Sequence, residues 1–305
     1  MKLLYYAKHL VLNLQPKWLY NRRYLLLERT FAQKSEYVTQ RVDYYVKGVS
    51  RQAIDGEGTQ IANYRRKGFT SYFFDLQEFL HYFPKSKRFK YYFGDETHKE
   101  KSLTLFKARP INRKDETSVL FKLDKRRHFK FVKDTLPFLD KQNKLVFRGA
   151  VTQVHREQFL EAHFNNPLVD AGQTNPEGSQ RGWKKPFMSI KEQLGYKFIL
   201  CLEGNDVASN LKWVMSSNSL VFCPKMKFET WFMEGSLVAG QHYVEIMDDY
   251  SDLDEKVEFY IQNTDEAQTI IQNAHDHVSA FLNSDLEDFI CIKTLERYFE
   301  LTGQV

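Results

Sequence analysis

The sequence predicts an α/β protein organised around a parallel sheet and divided into two domains. Three observations lead there. The chain has 305 residues, more than one compact core comfortably holds. Hydrophobic residues make up 42% of it, enough to bury real cores and too many for a disordered tail. From Tyr196 to Ile246, strand-like and helix-like segments alternate, the pattern of parallel strands joined by right-handed crossovers.

The elements follow from local pattern. Lys144 to Gly149 reads as a short strand, His155 to Phe164 as a helix and Leu168 to Ala171 as a second strand. Gly172 to Pro186, rich in Gly, Asn, Gln and Pro, is a loop. Tyr196 to Leu202 is a near-continuous apolar run, as in a buried parallel strand. Glu203 to Asp206 is a turn, Val207 to Ser216 has helical spacing, and Ser219 to Cys223 is a strand stopped by Pro224. Phe228 to Glu234 is expected as a short helix and His242 to Ile246 as a further strand. Three closing helices are expected to be capped by Ser251 with Asp254, by Thr264, and by Ser284 with Glu287; Gly303 ends the last. In the first half, Tyr72 to Phe83 is helix-like, while Phe89 to Phe93 and Leu103 to Phe106 read as strands. Another α/β layer is inferred there. The domains are therefore expected at residues 1–142 and 143–305, with the last helix able to pack back on the first domain.

The net charge of +5 and pI near 8.8 suit anionic partners: nucleotide diphosphates, anionic lipid headgroups or nucleic acid. Two basic clusters, Lys85 to Lys90 and Lys122 to Lys133, lie in the first half, and an acidic one, Asp248 to Glu255, lies later. Aromatics reach 15%, mostly for cores, with a minority able to stack on sugars or bases. Cys201, Cys223 and Cys291 are widely spaced and odd in number, so they read as buried thiols in a reducing compartment. Neither a signal peptide nor a membrane-spanning run is expected. The stretch from Leu3 to Leu27 is amphipathic and basic; it packs on its own domain or lies in a membrane interface.

Three places can carry chemistry. The turn Gly204-Asn205-Asp206 lies between the carboxyl end of a buried strand and an expected helix, where open α/β sheets bind ligands. A helix N-terminus there suits a diphosphate, and Ser209, Asn210 and Lys212 can add donors; a plain connection explains the same residues equally well. Arg148 ends a strand before Gly149 and can hold phosphate bidentately, or be an ordinary surface arginine. Asp95 follows Gly94 at another strand end, as a general base or simply a turn residue.

Taken in order, the runs LVFRGA, REQF and NNPLVDAG, then YKFILCLEGNDVASNLKWVMSSNSLVF, FETWF, HYVEI and SDLDEKVEF resemble glycosyltransferase family 90. That family groups protein O-glucosyltransferases, capsule-associated xylosyltransferases and bacterial lipopolysaccharide core glycosyltransferases, the last branch being most similar. The resemblance spans roughly residues 89 to 300 and is strongest from 144 to 260. It implies a GT-B fold of two Rossmann-like domains with an interdomain cleft and the donor in the C-terminal domain. It implies an inverting, metal-independent hexosyltransferase without a cofactor, using UDP-glucose or UDP-galactose. The acceptor implied is an inner-core sugar of lipopolysaccharide, a heptose, met by a cytoplasmic enzyme peripheral to the inner membrane. The resemblance puts Arg148, Gly204, Asn205, Asp206, Ser209, Asn210, Lys212 and Glu229 at the donor and makes Asp95 the catalytic base. Many members carry Arg where this chain has Asn210, so Lys212, Lys225 or helix N–H groups must supply the missing charge.

Three rivals stand beside this. Asp252-Leu253-Asp254 has the spelling of a metal-binding DxD motif, but capping at a helix start explains it better. Lys125 to Lys133 interleaves cations with aromatics, as in a nucleic-acid-binding protein without transferase activity. A membrane-associated scaffold with no active site is the third.

Overall fold

The structure is a computed structural model and describes residues 2–54, 57–111, 117–175 and 181–304. In chain order its elements begin with α1 Lys2–Leu14, α2 Lys17–Thr30, α3 Ser35–Tyr45, β1 Thr59–Gln60, α4 Thr70–Leu80 and β2 Arg88–Phe89. Then come β3 Thr104–Phe106, β4 Ala108–Pro110, β5 Ser118–Leu120, α5 Lys125–His128, β6 Gln142–Gly149, α6 Val154–His163 and β7 Val169–Gln173. The remainder are α7 Ile190–Gln193, β8 Tyr196–Leu200, α8 Leu211–Met215, β9 Leu220–Pro224, β10 Phe228–Thr230, β11 Val244–Ile246, α9 Leu253–Gln262, α10 Thr264–Ser279 and α11 Ser284–Leu301. These form two compact units. The first holds the chain up to Arg127, Phe228–Met233 and the chain from Phe281; the second holds His128–Lys227 and Glu234–Ala280. Of the loop expected over 172–186, residues 176–180 lie outside the described residues.

The second unit is built on a five-stranded, all-parallel sheet in the order β11-β9-β8-β6-β7. Its central strands are apolar on both faces: Leu145, Val146, Phe198, Ile199 and Leu200 are buried. Each buried side chain of this size contributes about 1.5–3 kcal/mol. Helix α6 connects β6 to β7, and the chain then returns past β6 to lay down β8. The strand order therefore reverses between β6 and β8. In a doubly wound sheet that reversal opens a crevice at the strands' carboxyl ends.

The first unit is mainly helical. Its strands form three two-stranded ladders of two or three residue pairs: β1 with β2 and β4 with β10 antiparallel, β3 with β5 parallel. The expected second Rossmann-like layer is thus not what the described residues show. A further expectation also fails. Phe228–Thr230 is a strand, not a helix, because it pairs with Ala108–Pro110, far away in sequence. FETWF suits either state, and its partner decides.

Glu287 gathers all three segments of this unit. It lies in the first turn of α11, where the helix dipole favours its charge. Its carboxylate is almost fully buried and accepts from Arg41 of α3 at 2.8 Å, Lys122 at 2.8 Å and the Trp231 indole at 2.7 Å. Sequence reading placed Glu287 in a capping box with Ser284. The cap is instead Asn283, whose side chain accepts from the Leu286 N–H, and this frees Glu287 to point inward. Similarly, α9 starts at Leu253 and α10 at Thr264, so Ser251 and Thr264 are not their caps. Gly303, at φ +74°, does follow α11 as expected.

Glu287→Ala leaves two cations and an indole N–H without their acceptor. It is expected to destabilise the protein by about 3–5 kcal/mol, read as a shift in the urea midpoint. A loss under about 1 kcal/mol would show that water replaces the carboxylate at little cost.

Candidate active site

In the second unit the chains at the carboxyl ends of β6 and β8 are held by one residue that sequence reading did not single out. Arg156, in the first turn of α6, donates to Ala150 O at 2.8 Å, Leu202 O at 2.8 Å and Glu203 O at 3.1 Å. It thereby ties the chain leaving β6 to the chain leaving β8. Its Nη2 lies 3.4 Å from the place a Cβ on Gly204 would take. Among the described residues no carboxylate pairs with it. Burial pulls the guanidinium below the ordinary arginine value. The result is a positive charge, satisfied only by neutral carbonyls, beside the Gly204 turn. An incoming anion would be its first full counter-charge.

The residues expected to hold a donor are dispersed by comparison. Gly204 and Asn205 form a tight turn, with Gly204 N–H bonded to Asp206 O at 2.9 Å and Asn205 exposed. Asp206 is buried. The helix expected from Val207 starts only at Leu211 and lasts five residues. The turn is therefore not its N-terminus, and the dipole argument lapses. The competing local bonds explain the delay: the Asn210 amide donates to Leu200 O at 3.0 Å, closing the chain onto β8. Ser209 is exposed.

Arg148 is turned sideways, bonding Asp170 O at 2.7 Å and Asp170 Oδ1 at 2.8 Å on the adjacent β7. Lys185 at 2.8 Å and the Tyr196 hydroxyl at 2.7 Å complete the same carboxylate's shell. Burial alone would raise the Asp170 carboxyl, but Lys185, Tyr196 and Arg148 together hold it well below the usual range. Lys212 is fully buried and paired with Glu234 at 2.7 Å, so its charge is already met by a carboxylate inside the protein. Lys225 is exposed.

In the first unit Asp95 is the centre of a charged network. Gly94, at φ +117°, turns the chain out of the extended segment so that Asp95 faces two cations. Asp95 Oδ1 accepts from Lys107, from Arg127 and, at 3.3 Å, from the Tyr72 hydroxyl. Oδ2 accepts from Arg127 Nη1 at 3.0 Å and retains lone-pair capacity for a hydroxyl. Burial by itself would raise this carboxyl; the bonds from Arg127 and Lys107, with their charge, hold it at about 2. Arg127 also pairs with Asp124 at 2.8 Å, which in turn accepts from Ser71 at 3.1 Å. Asp95 is thus more than a turn residue: it is an ionised carboxylate in a preset orientation. Glu229 also belongs to this unit, where Arg109 at 2.7 Å and Tyr44 bind its buried carboxylate.

Beside Asp95 the backbone is strained. Phe69, the residue before α4, has φ +37° and ψ +54°, a left-handed conformation uncommon for an aromatic residue, and its side chain caps nothing. Such a conformation costs of order 1–3 kcal/mol.

A cation at the reversal point of a parallel sheet suits an anionic ligand, and an ionised carboxylate amid aromatics suits a hydroxyl. The comparisons agree in class. The chain belongs to glycosyl transferase family 90, whose model matches residues 91–302. It is 40% identical over 304 residues to O-glucosyltransferase LpsA of Dichelobacter nodosus, covering 98% of this chain and 96% of that one. Protein O-glucosyltransferase 3 of Homo sapiens is 30% identical over 139 residues, covering 44% of this chain and 27% of its own. The O-glucosyltransferase rumi homolog of Aedes aegypti is 26% identical over 183 residues, covering 55% and 44%. This protein is a glycosyltransferase.

The buried Lys212–Glu234 pair gives a clear test of whether Lys212 serves the donor. Lys212→Met is expected to cost about 3–5 kcal/mol of stability by stranding Glu234, and the added change Glu234→Leu to restore most of it. If UDP raises the melting temperature of the parent, the double variant should show the same rise. A stable single variant that no longer responds to UDP would return Lys212 to the donor contacts.

Proposed function

We propose that this glycosyltransferase moves a hexose, glucose first and galactose second, from a UDP-sugar to a heptose hydroxyl of a lipopolysaccharide inner core, with inversion and without a metal. Glucose is favoured because the relatives are named O-glucosyltransferases, LpsA along nearly its whole length. The observation that carries the mechanism is the open Oδ2 of the ionised Asp95.

In this reading the acceptor hydroxyl attacks the anomeric carbon, and the anomeric carbon–phosphate oxygen bond breaks with its electron pair going to UDP. The hydroxyl proton passes to Asp95 Oδ2 and then to solvent. A carboxylate with a value near 2 is a weak base towards a resting alcohol. It becomes competent once carbon–oxygen bond formation makes the hydroxyl acidic. The charge gathering on the diphosphate falls to Arg156, already fixed before reaction by its bonds to Leu202 O and Glu203 O.

At the one DxD spelling both carboxylates are taken up by protein groups. Asp252 accepts from Met247 N–H at 2.9 Å and pairs with Lys256 at 2.6 Å, while Asp254 accepts from Asn166 at 2.6 Å. The nucleic-acid alternative finds part of its basic stretch already engaged. Lys125 is paired with Glu78 at 2.7 Å, Arg126 lies over the rings of Tyr5 and Tyr6, and Arg127 serves Asp95 and Asp124. Contact with a membrane surface is supported by α1 and α2, which expose Val11, Leu14, Trp18, Leu25 and Leu26 among cations such as Lys17 and Arg22. Among the described residues no helix is long and apolar enough to cross a membrane.

The test is transfer from UDP-glucose or UDP-galactose to lipopolysaccharide truncated at its first heptose, with excess EDTA, product mass being measured. One added hexose, glucose preferred, is expected. Because Asp95 is already ionised, its protonation should impose no acid limb between about pH 5 and 8. Transfer from neither donor, or transfer abolished by EDTA and restored by Mn²⁺, would contradict the proposal.

A further inference from the structure

We propose that Phe69 is the acceptor platform: its ring takes the apolar face of the acceptor sugar and sets that sugar's hydroxyl beside Asp95. The inference rests on the acceptor reading above and deepens it. Phe69 is a large apolar side chain left 54% exposed. It is held there by a backbone it does not suit, following Gly68, itself at φ +62°. Asn, Asp or Gly would adopt this conformation more readily, and Ser, Thr, Asp or Asn would cap α4 better. An aromatic residue at this place meets neither local need, so its side chain must answer to something else.

The ring's position shows what that is. It lies against Gly94, the residue before Asp95: a Cβ built on Gly94 would be 3.7 Å from its edge atoms. Tyr72, which donates to Asp95, meets the ring edge-on at 5.6 Å and 76°, and Phe93 does so at 6.3 Å and 62°. Both neighbours brace it, and among the described residues no aromatic ring lies flat on it. A pyranose presents a face of weakly positive C–H groups, which suits the negative face of an aromatic ring, while its hydroxyls stay at the rim. A sugar stacked on Phe69 would therefore hold its hydroxyls next to the carboxylate. The ligand class is a pyranose with one face of axial C–H groups, as at the exposed end of a core oligosaccharide.

The experiment measures calorimetric binding of a lipid-free core oligosaccharide ending in heptose, without donor, and the acceptor KM in transfer. Phe69→Ala is expected to weaken binding and raise KM about tenfold, with UDP binding near the parent; Phe69→Trp should restore both affinity and KM. Phe69→Asn separates platform from scaffold, because asparagine accepts the left-handed backbone. It should match or exceed the parent in Tm yet bind the oligosaccharide as poorly as alanine. Parental affinity and KM in Phe69→Ala, or a Tm collapse in Phe69→Asn, would overturn the platform alone. No binding of the oligosaccharide by the parent would overturn the platform's ligand class together with the acceptor reading.

Discussion

A charge taken out of water must meet its counter-charge inside, and that constraint organises this protein. Isolated, a buried ion carries a desolvation penalty of several kcal/mol; paired and hydrogen-bonded, it is tolerated. The chain is rich in cations, and the structure assigns most of those at buried places to carboxylates: Arg41 and Lys122 to Glu287, Arg109 to Glu229, Arg148 to Asp170, Lys212 to Glu234. These pairs join segments far apart in sequence, and Glu287 alone ties together the three stretches of the first unit. They also consume the cations that a sequence reader would offer to a phosphate. What remains is informative by contrast. Arg156 meets only carbonyls at the reversal point of the sheet, and Asp95 has two cations yet keeps an open lone pair.

The two places differ in how the fold makes them. At the sheet, position follows from topology: β7 and β8 flank β6, so the chains leaving β6 and β8 diverge and Arg156 spans their ends. Around Asp95, position follows from local irregularity. Gly94, Phe69 and Asp124 all have positive φ, and the short segments between them are fixed by side-chain bonds from Lys107, Arg127, Ser71 and Tyr72. Strain concentrated around a half-buried carboxylate is what a preset reacting group requires, since orientation is then settled before the substrate arrives.

The parallel sheet was legible because its strands are continuous apolar runs bounded by turns. Lys144 to Gly149 and Tyr196 to Leu202 appear within two residues of their observed ends. Asp95 was visible as a carboxylate after glycine, though its cations, 12 and 32 residues on, were not. What stayed out of sight shares a cause. Phe228–Thr230 was misassigned because its state is decided by β4, and the Glu234 partner of Lys212 was hidden because a lysine near a turn looks the same on paper whether it faces solvent or a carboxylate. Arg156 was missed because three carbonyl contacts leave no pattern in sequence. One signal existed: a lone Arg in the first turn after a strand ending in Arg148-Gly149, with no acidic residue beside it except Glu157.

The central claim is that the ionised Asp95 takes the acceptor's proton, and the most direct measurement is single-turnover hexose transfer by Asp95→Asn. The account predicts a fall of about 10²–10⁴-fold in rate, with UDP still raising the melting temperature and the acceptor still bound. A folded Asp95→Asn protein that transfers sugar within a few-fold of the parent would contradict it.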